Sequence, residues 1–273
     1  MNRNLESNNI VWAVKSPPLI SSKDNIWPEA DWFRDWEVKA FRSESSNPNQ
    51  KLGLYFEKTL HDWIEQEPKL ALLARNLVVR SNARTLGEFD LIVRNENLIE
   101  HWEIAVKFFL GIGDRTNIGH WIGPNPRDTL ERKLDSLENR QIRLGDTPDA
   151  KRILEQKDIK IDSRRIIFKG RLFHPYKMFK MSRFEFPKDI NLSHEKGWWL
   201  RWEELDSHKE LKNSSFKLLE KREWLAQLKN IDTEEMISFD ELKDRCASIF
   251  TSHVVIVNGE RNELSRGFVV YKN

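Results

Sequence analysis

Two apolar runs divided by a three-residue turn constrain this chain more than any other feature. Phe89-Asp-Leu-Ile-Val93 and Trp102-Glu-Ile-Ala-Val-Lys-Phe-Phe-Leu110 are rich in β-branched and aromatic residues, and Asn95-Glu96-Asn97 lies between them. Asn tolerates the backbone conformations of tight turns, so the pattern predicts strands over Glu88–Arg94 and Ile99–Leu110 joined as a hairpin. Both runs are too apolar for strands with one wet face. They are expected at the centre of a sheet covered on both sides.

The flanking elements follow from period and punctuation. Leu52–Gln66 repeats Phe56, Leu60, Trp63 and Ile64 at helical spacing, and Pro68 ends it. Asn76–Arg80 reads as a short strand. A loop with several glycines from Gly111 to Pro126 precedes a helix expected to start near Asp128, with Glu131 as its capping-box partner, and to reach about Arg143. Arg165–Leu172 reads as a fourth strand. The order is helix, three strands, helix, strand, which predicts a mixed α/β core over residues 51–175 with a central mixed sheet. Before it, residues 1–50 read as a helical arm: Asn9–Val14 is apolar and stopped by Ser16-Pro17-Pro18. Asp31–Phe41 carries Trp32, Trp36 and Phe41 at helical spacing, and Ser43–Gln50 reads as a linker. After the core, residues 176–273 are expected to form an α/β cover packed on it. Trp198–Trp202 reads as a strand, Phe216–Leu228 as an amphipathic helix, Ser238–Ile249 as a helix capped by Ser238 and Glu241, and Val254–Val257 with Phe268–Tyr271 as a hairpin.

Composition excludes several classes. No apolar run reaches the roughly 18 residues of a membrane span, and residues 1–14 lack the basic-then-apolar order of a signal peptide. One cysteine, Cys246, excludes an internal disulfide framework and a thiolate zinc cluster, so a reducing cytoplasm is expected. The net charge of +2 is too even to imply nucleic acid by itself, and any basic footprint must be local. The eleven tryptophans are spread in a way that fits packing better than a single stacking platform.

The chemistry concentrates in the hairpin. Side chains alternate along a strand, so Glu88, Asp90 and Ile92 share one face, and His101, Glu103, Ala105, Lys107 and Phe109 share one face of the next strand. A charge on a central strand is costly unless it is paired or binds metal. Either Lys107 forms a buried ion pair with Glu103 or Asp90, or Asp90 and Glu103 hold a hard cation such as Mg²⁺ or Mn²⁺, with the Ile104 carbonyl as a third oxygen. His101, on the Glu103 face, is read as a structural or supporting histidine.

Three stretches, Gly53-Leu-Tyr-Phe-Glu57, Gly87-Glu-Phe-Asp90 and Glu103-Ile-Ala-Val-Lys107, resemble the PD-(D/E)XK nuclease superfamily, whose restriction-endonuclease-like core has the same element order. The wider chain is similar to a bacterial family within it, domain of unknown function 1853. That likeness rests on Val11-Trp-Ala-Val-Lys-Ser-Pro-Pro-Leu19, His101–Leu110, Trp121-Ile-Gly-Pro124, Lys169-Gly-Arg-Leu-Phe173 and Gly197-Trp-Trp-Leu200. The resemblance implies that Asp90 and Glu103 are metal ligands, Lys107 the catalytic lysine and Glu57 a supporting carboxylate, with Mg²⁺ or Mn²⁺ as cofactor. The superfamily usually carries lysine two residues after the strand acid. Ala105 occupies that position here, and Lys107 lies roughly 6.6 Å further along the same face.

Three further features bear on function. Glu57 sits at the edge of the apolar face of its helix, as a site residue or a flanking one. Gln141 falls within the apolar face defined by Leu130, Leu134 and Leu137, with Lys133 on the flank, so it either completes the site or lies on a frayed end. Between Arg164 and Phe184 there are seven Lys and Arg residues and no acid, interleaved with Phe168, Phe173, Tyr176, Phe179 and Phe184. Such a segment is either a core strand with solvated alternate positions or a nucleic-acid surface. On the second reading Lys133, Lys169, Arg171, Lys177, Lys180 and Arg183 contact nucleic acid. The expected activity is metal-dependent hydrolysis of phosphodiester bonds in nucleic acid. The alternative is a nuclease-like fold without activity that binds nucleic acid or protein.

Overall fold

The computed structural model describes residues 3–38, 50–82, 84–125 and 127–271. Phe41, the expected linker from 43 to 49, and Pro126 lie outside the described residues.

The N-terminal region contributes helices α1 (Arg3–Lys15) and α2 (Ala30–Arg34), and α3 (Leu52–Ile64) follows. Strands β1 (Leu70–Ser81), β2 (Arg84–Asn95) and β3 (Leu98–Gly111) form an antiparallel meander. The two-residue strand β4 (Trp121–Ile122) pairs with the end of β3. Helix α4 (Leu130–Ser136) then winds into a π-helical turn over Leu137–Gln141, and α5 (Pro148–Gln156) follows. The strand β5 (Ser163–Pro175) returns parallel to β3 over eleven residue pairs, from Glu100↔Ser163 to Leu110↔Phe173.

Residues 176–271 carry this sheet onward rather than lying across it. A short helix α6 (Tyr176–Lys180) leads to β6 (Glu195–Arg201), which is parallel to β5. After β7 (Ser215–Leu218) and α7 (Phe239–Cys246), the hairpin β8 (Thr251–Val257) and β9 (Glu263–Val270) completes one nine-stranded mixed sheet, β1-β2-β3-β5-β6-β9-β8-β7, with β4 on β3. Among the described residues no helix is long and apolar enough to cross a membrane.

The hairpin, the capping box of Ser238 and Glu241 on α7, and the central placement of β3 agree with the sequence pattern. Trp102, Ile104, Val106 and Phe108 pack under α3, while Ala105 and Phe109 pack under α4. Three details differ. The helix expected over Phe216–Leu228 is strand β7 followed by turns. The buried guanidinium of Arg171 takes the carbonyls of Trp224 and Leu225, and that of Arg266 takes those of Trp224 and Ala226, so these oxygens are not free to build a helix. Helix α4 is capped by Thr129, whose hydroxyl accepts from Arg132 N at 3.2 Å, and not from Asp128 with Glu131. Helix α5 is additional to the expected elements, although Thr147 before Pro148 is an N-cap followed by proline in the first turn.

Candidate functional site

The site lies where the sheet splits. β2 and β3 pair from Asn95↔Leu98 only as far as Leu91↔Trp102, after which β2 stays with β1 and leaves β3. Strict alternation fails at the same place, because Phe89 and Ile92 both pack with Leu144, Ala150 and Leu154. The Asp90 side chain takes over from the missing ladder: Ile104 N donates to its Oδ2 at 2.9 Å. Asp90 therefore stands in the opening between two strands, where elements from either face of the sheet can reach it.

Glu103 meets it there. The two carboxyls share a hydrogen bond, and both are almost wholly buried. Burial, and then the charge of Glu103, push Asp90 up to about 7. Burial likewise pushes Glu103 up to about 7, against the favourable charge of Lys133. Gln141 Nε2 donates to Glu103 Oε2 at 2.9 Å, and Gln141 Oε1 accepts from Ser136 Oγ at 3.1 Å and from Lys133 Nζ at 3.2 Å. The π-helical turn, closed by Ile142 N bonding Leu137 O at 3.1 Å, sets the direction of Gln141. His101 Nε2 lies 2.9 Å from Glu103 Oε1, and burial holds that imidazole down at about 4, so it is neutral at pH 7. With its Nε2–H on Glu103, His101 Nδ1 is left buried without a partner.

Glu57 approaches from α3. Its carboxyl is raised to about 7 by burial and then by the charges of Asp90 and Glu88. Lys107 shares the Glu103 face but forms an ion pair with Asp128 at the partly exposed rim. Lys133 stands between the groups: beyond burial, Lys107 repels its charge while Glu103, Asp90 and Asp128 favour it. Beside Gln141 a cleft of ≈ 370 Å³ opens, lined by Thr85, Leu86, Gly87, Glu88, Ser136, Arg140 and Leu144.

The structure thus brings together Asp90, Glu103, Glu57, Gln141 and Lys133, with Lys107 at the edge. It does not bring Lys169 and Arg171 to a surface. Lys169 is fully buried over the Phe33 ring, donating to the carbonyls of Val14 and Ser16, and burial holds its amine well below the usual range. Arg171 is buried against Trp12, on the carbonyls of Trp224 and Leu225 and the carboxylate of Glu195. Neither can touch a nucleic-acid backbone. They fasten α1 and residues 224–225 to β5. Phe168, Phe173 and Tyr176 are buried too, so they offer no stacking surface. Lys177, Lys180 and Arg183 face solvent on and after α6. Asp128, expected as a cap, is instead the partner of Lys107, and no local pattern announces that.

Among known proteins, a family model, domain of unknown function (DUF1853), covers residues 8–270. The chain belongs to that family. No curated protein and no solved structure matches it.

Proposed function

We propose that this DUF1853 chain is a divalent-metal-dependent nuclease built on a PD-(D/E)XK-type, restriction-endonuclease-like core, hydrolysing phosphodiester bonds of nucleic acid. The observation that carries the reading is the convergence of Asp90 and Glu103 in the opening between β2 and β3, with Glu57 facing them from α3. Packing does not require two buried carboxyls in hydrogen-bond contact with a third within range of their charge. Their mutual repulsion and burial are unfavourable, and a hard cation relieves both.

The donor set fits Mg²⁺ or Mn²⁺: it is made of carboxylate oxygens, with no thiolate and with the nearby imidazole directed at Glu103. Asp90 and Glu103 would hold the ion. When bound, such an ion acidifies water and neutralises charge on a phosphate. Gln141 and His101 fix the orientation of Glu103, and the Ile104 amide fixes that of Asp90. The cleft beside Gln141 gives a nucleic-acid strand access, and Lys177, Lys180 and Arg183 remain available for phosphate contacts.

The second reading, a nuclease-like fold that only binds nucleic acid or protein, is favoured by the Lys107–Asp128 ion pair, which engages the lysine of the strand away from the acids. The test is Mn²⁺ binding and cleavage of single- and double-stranded DNA and RNA by wild type and Asp90→Asn. Metal-dependent cleavage lost in the variant is expected. Wild-type protein that neither binds Mn²⁺ nor cuts any substrate defeats the enzyme reading.

A further inference from the structure

We propose that Lys133, and not Lys107, is the lysine that meets the substrate phosphate at the Asp90–Glu103 pair. The inference deepens the nuclease reading and rests on it.

Lys133 is half-buried on α4 and turned to the split in the sheet. Its Nζ donates to Gln141 Oε1 at 3.2 Å, and Gln141 Nε2 donates to Glu103 Oε2 at 2.9 Å, so one amide spans the lysine and the acid. Among the charges acting on Glu103, that of Lys133 is the strongest favourable one, and it also acts on Glu57. Lys107 is not among the main charges acting on either carboxyl. It pairs with Asp128, with both side chains about a third exposed (34 % each).

The donors of the ammonium sharpen the distinction. An ammonium has three. Among the described residues Lys133 uses one, on Gln141, and no carboxylate is in ion-pair contact with it. Two N–H groups of a partly desolvated ammonium therefore remain for an acceptor from outside the chain. The acceptor that suits a site of converging carboxylates, hard-cation donors and an open cleft is a phosphate oxygen of a nucleic-acid strand. The local packing allows this. Ala105, the small residue two positions after Glu103, packs in the same cluster as Leu130, Leu134 and Leu137, so the β3 position nearest Glu103 on that face puts no long side chain under the helix that carries Lys133. Ser136 Oγ, the second donor to Gln141 Oε1 at 3.1 Å, keeps the amide in place when Lys133 turns to a ligand.

The experiment uses the full chain with Mn²⁺ and two probes, a labelled duplex DNA and bis(p-nitrophenyl) phosphate. Lys133→Met, Lys133→Arg and Lys107→Met are compared with wild type for cleavage rate, Mn²⁺ affinity and melting temperature. Lys133→Met is expected to lower kcat about 100-fold, the scale of losing one charge-stabilising donor, while Mn²⁺ binds as tightly or more tightly because a repelling charge has gone. Lys133→Arg restores part of the rate. Three results overturn the assignment while leaving the nuclease reading intact. In the first, Lys133→Met cleaves within threefold of wild type. In the second, the larger loss falls on Lys107→Met. In the third, the rate loss of Lys133→Met tracks lost Mn²⁺ binding or a collapsed melting temperature. Wild type that binds no Mn²⁺ and cuts neither probe overturns the nuclease reading, and this assignment with it.

Discussion

Replacing Asp90 by Asn should stabilise the metal-free protein at pH 8. Asp90 and Glu103 ordinarily ionise near 3.8 and 4.5, and in the folded chain both are pushed up to about 7. The unfolded chain has therefore released these protons by about pH 5, while the folded chain holds them until about pH 7. Between those limits the folded state binds more protons, so the pair's contribution to stability falls as pH rises and is fully lost above about 7. At ~1.4 kcal/mol per tenfold change in proton affinity, each group alone would account for ~3–4 kcal/mol. The charge of Glu103 is part of what raises Asp90, whereas Glu103 is raised by burial and the charge of Glu88 and lowered by its hydrogen bond with Asp90. The two shifts are not independent, so the pair together is worth on the order of 4 kcal/mol, and removing Asp90 relieves about half of it. The introduced asparagine would keep an oxygen for Ile104 N–H and gain an amide donor for Glu103 in place of the shared proton. A gain of ~2 kcal/mol corresponds to a melting temperature higher by roughly 4 °C for a chain of this size. The wild-type profile alone is a poor test, because buried histidines act in the opposite sense. Burial holds His101, His174 and His194 at about 4, 3 and 4, so their contribution is present above about pH 6.5 and is lost as pH falls through those values. Melts of wild type and Asp90→Asn in EDTA from pH 5 to 8.5 cancel the contributions of His174 and His194; that of His101, on which the Asp90 charge acts, is constant only above about pH 6.5, where the imidazole is neutral in both states. A variant that melts below wild type at pH 8, or a difference that does not grow between pH 5 and 8, would refute the account of a buried Asp90 carboxyl held against the charge of Glu103.

Mn²⁺ should reverse that order at pH 8: at a hundred times its Kd it stabilises wild type by ~2.7 kcal/mol and Asp90→Asn by far less, as calorimetric melts would record. Its affinity should fall about tenfold for each pH step below about 7, where the carboxyls hold protons, and isothermal titration at pH 6 and 8 checks the sign. Gln141→Leu strips a buried donor from Glu103 and the acceptor from Ser136 and Lys133. A stability loss of ~1–3 kcal/mol in urea melts, with weaker Mn²⁺ binding, is expected. Gly170→Ala would set a Cβ 1.8 Å from the Lys107 carbonyl oxygen on the neighbouring strand, at φ +150°. It should cost ~3 kcal/mol or more, and a soluble variant with wild-type melting would contradict the β3–β5 register.

Much of the site was legible because it is local. The run from Phe89 to Leu110 announces a hairpin by composition and turn residues alone, and acids inside apolar strands stand out for their cost. Gln141 was legible for a similar reason, as a polar residue within a helix face of leucines, although the π-helical turn that directs it was not. The basic segment from Arg164 to Arg183 misled. In sequence Lys169 and Arg171 are indistinguishable from solvated cations, and only their distant partners bury them: Val14 and Ser16 lie more than 150 residues away, and Trp224 and Leu225 about 50.

What the sequence determined by itself was the type of each strongly periodic element and the identity of the carboxylates, since both depend on neighbours in the chain. The end-to-end continuation of one sheet through β6, β9, β8 and β7, the helix refused at Phe216–Leu228, the opening between β2 and β3, and the pairing of Lys107 with Asp128 and of Lys133 with Gln141 were decided by tertiary structure. The physical reason is common to all four. Pairing of strand edges and capture of a carbonyl, a carboxylate or an ammonium are short-range interactions between residues far apart in sequence. Local propensity is worth only tenths of a kcal/mol per residue against the few kcal/mol of a buried, satisfied polar contact.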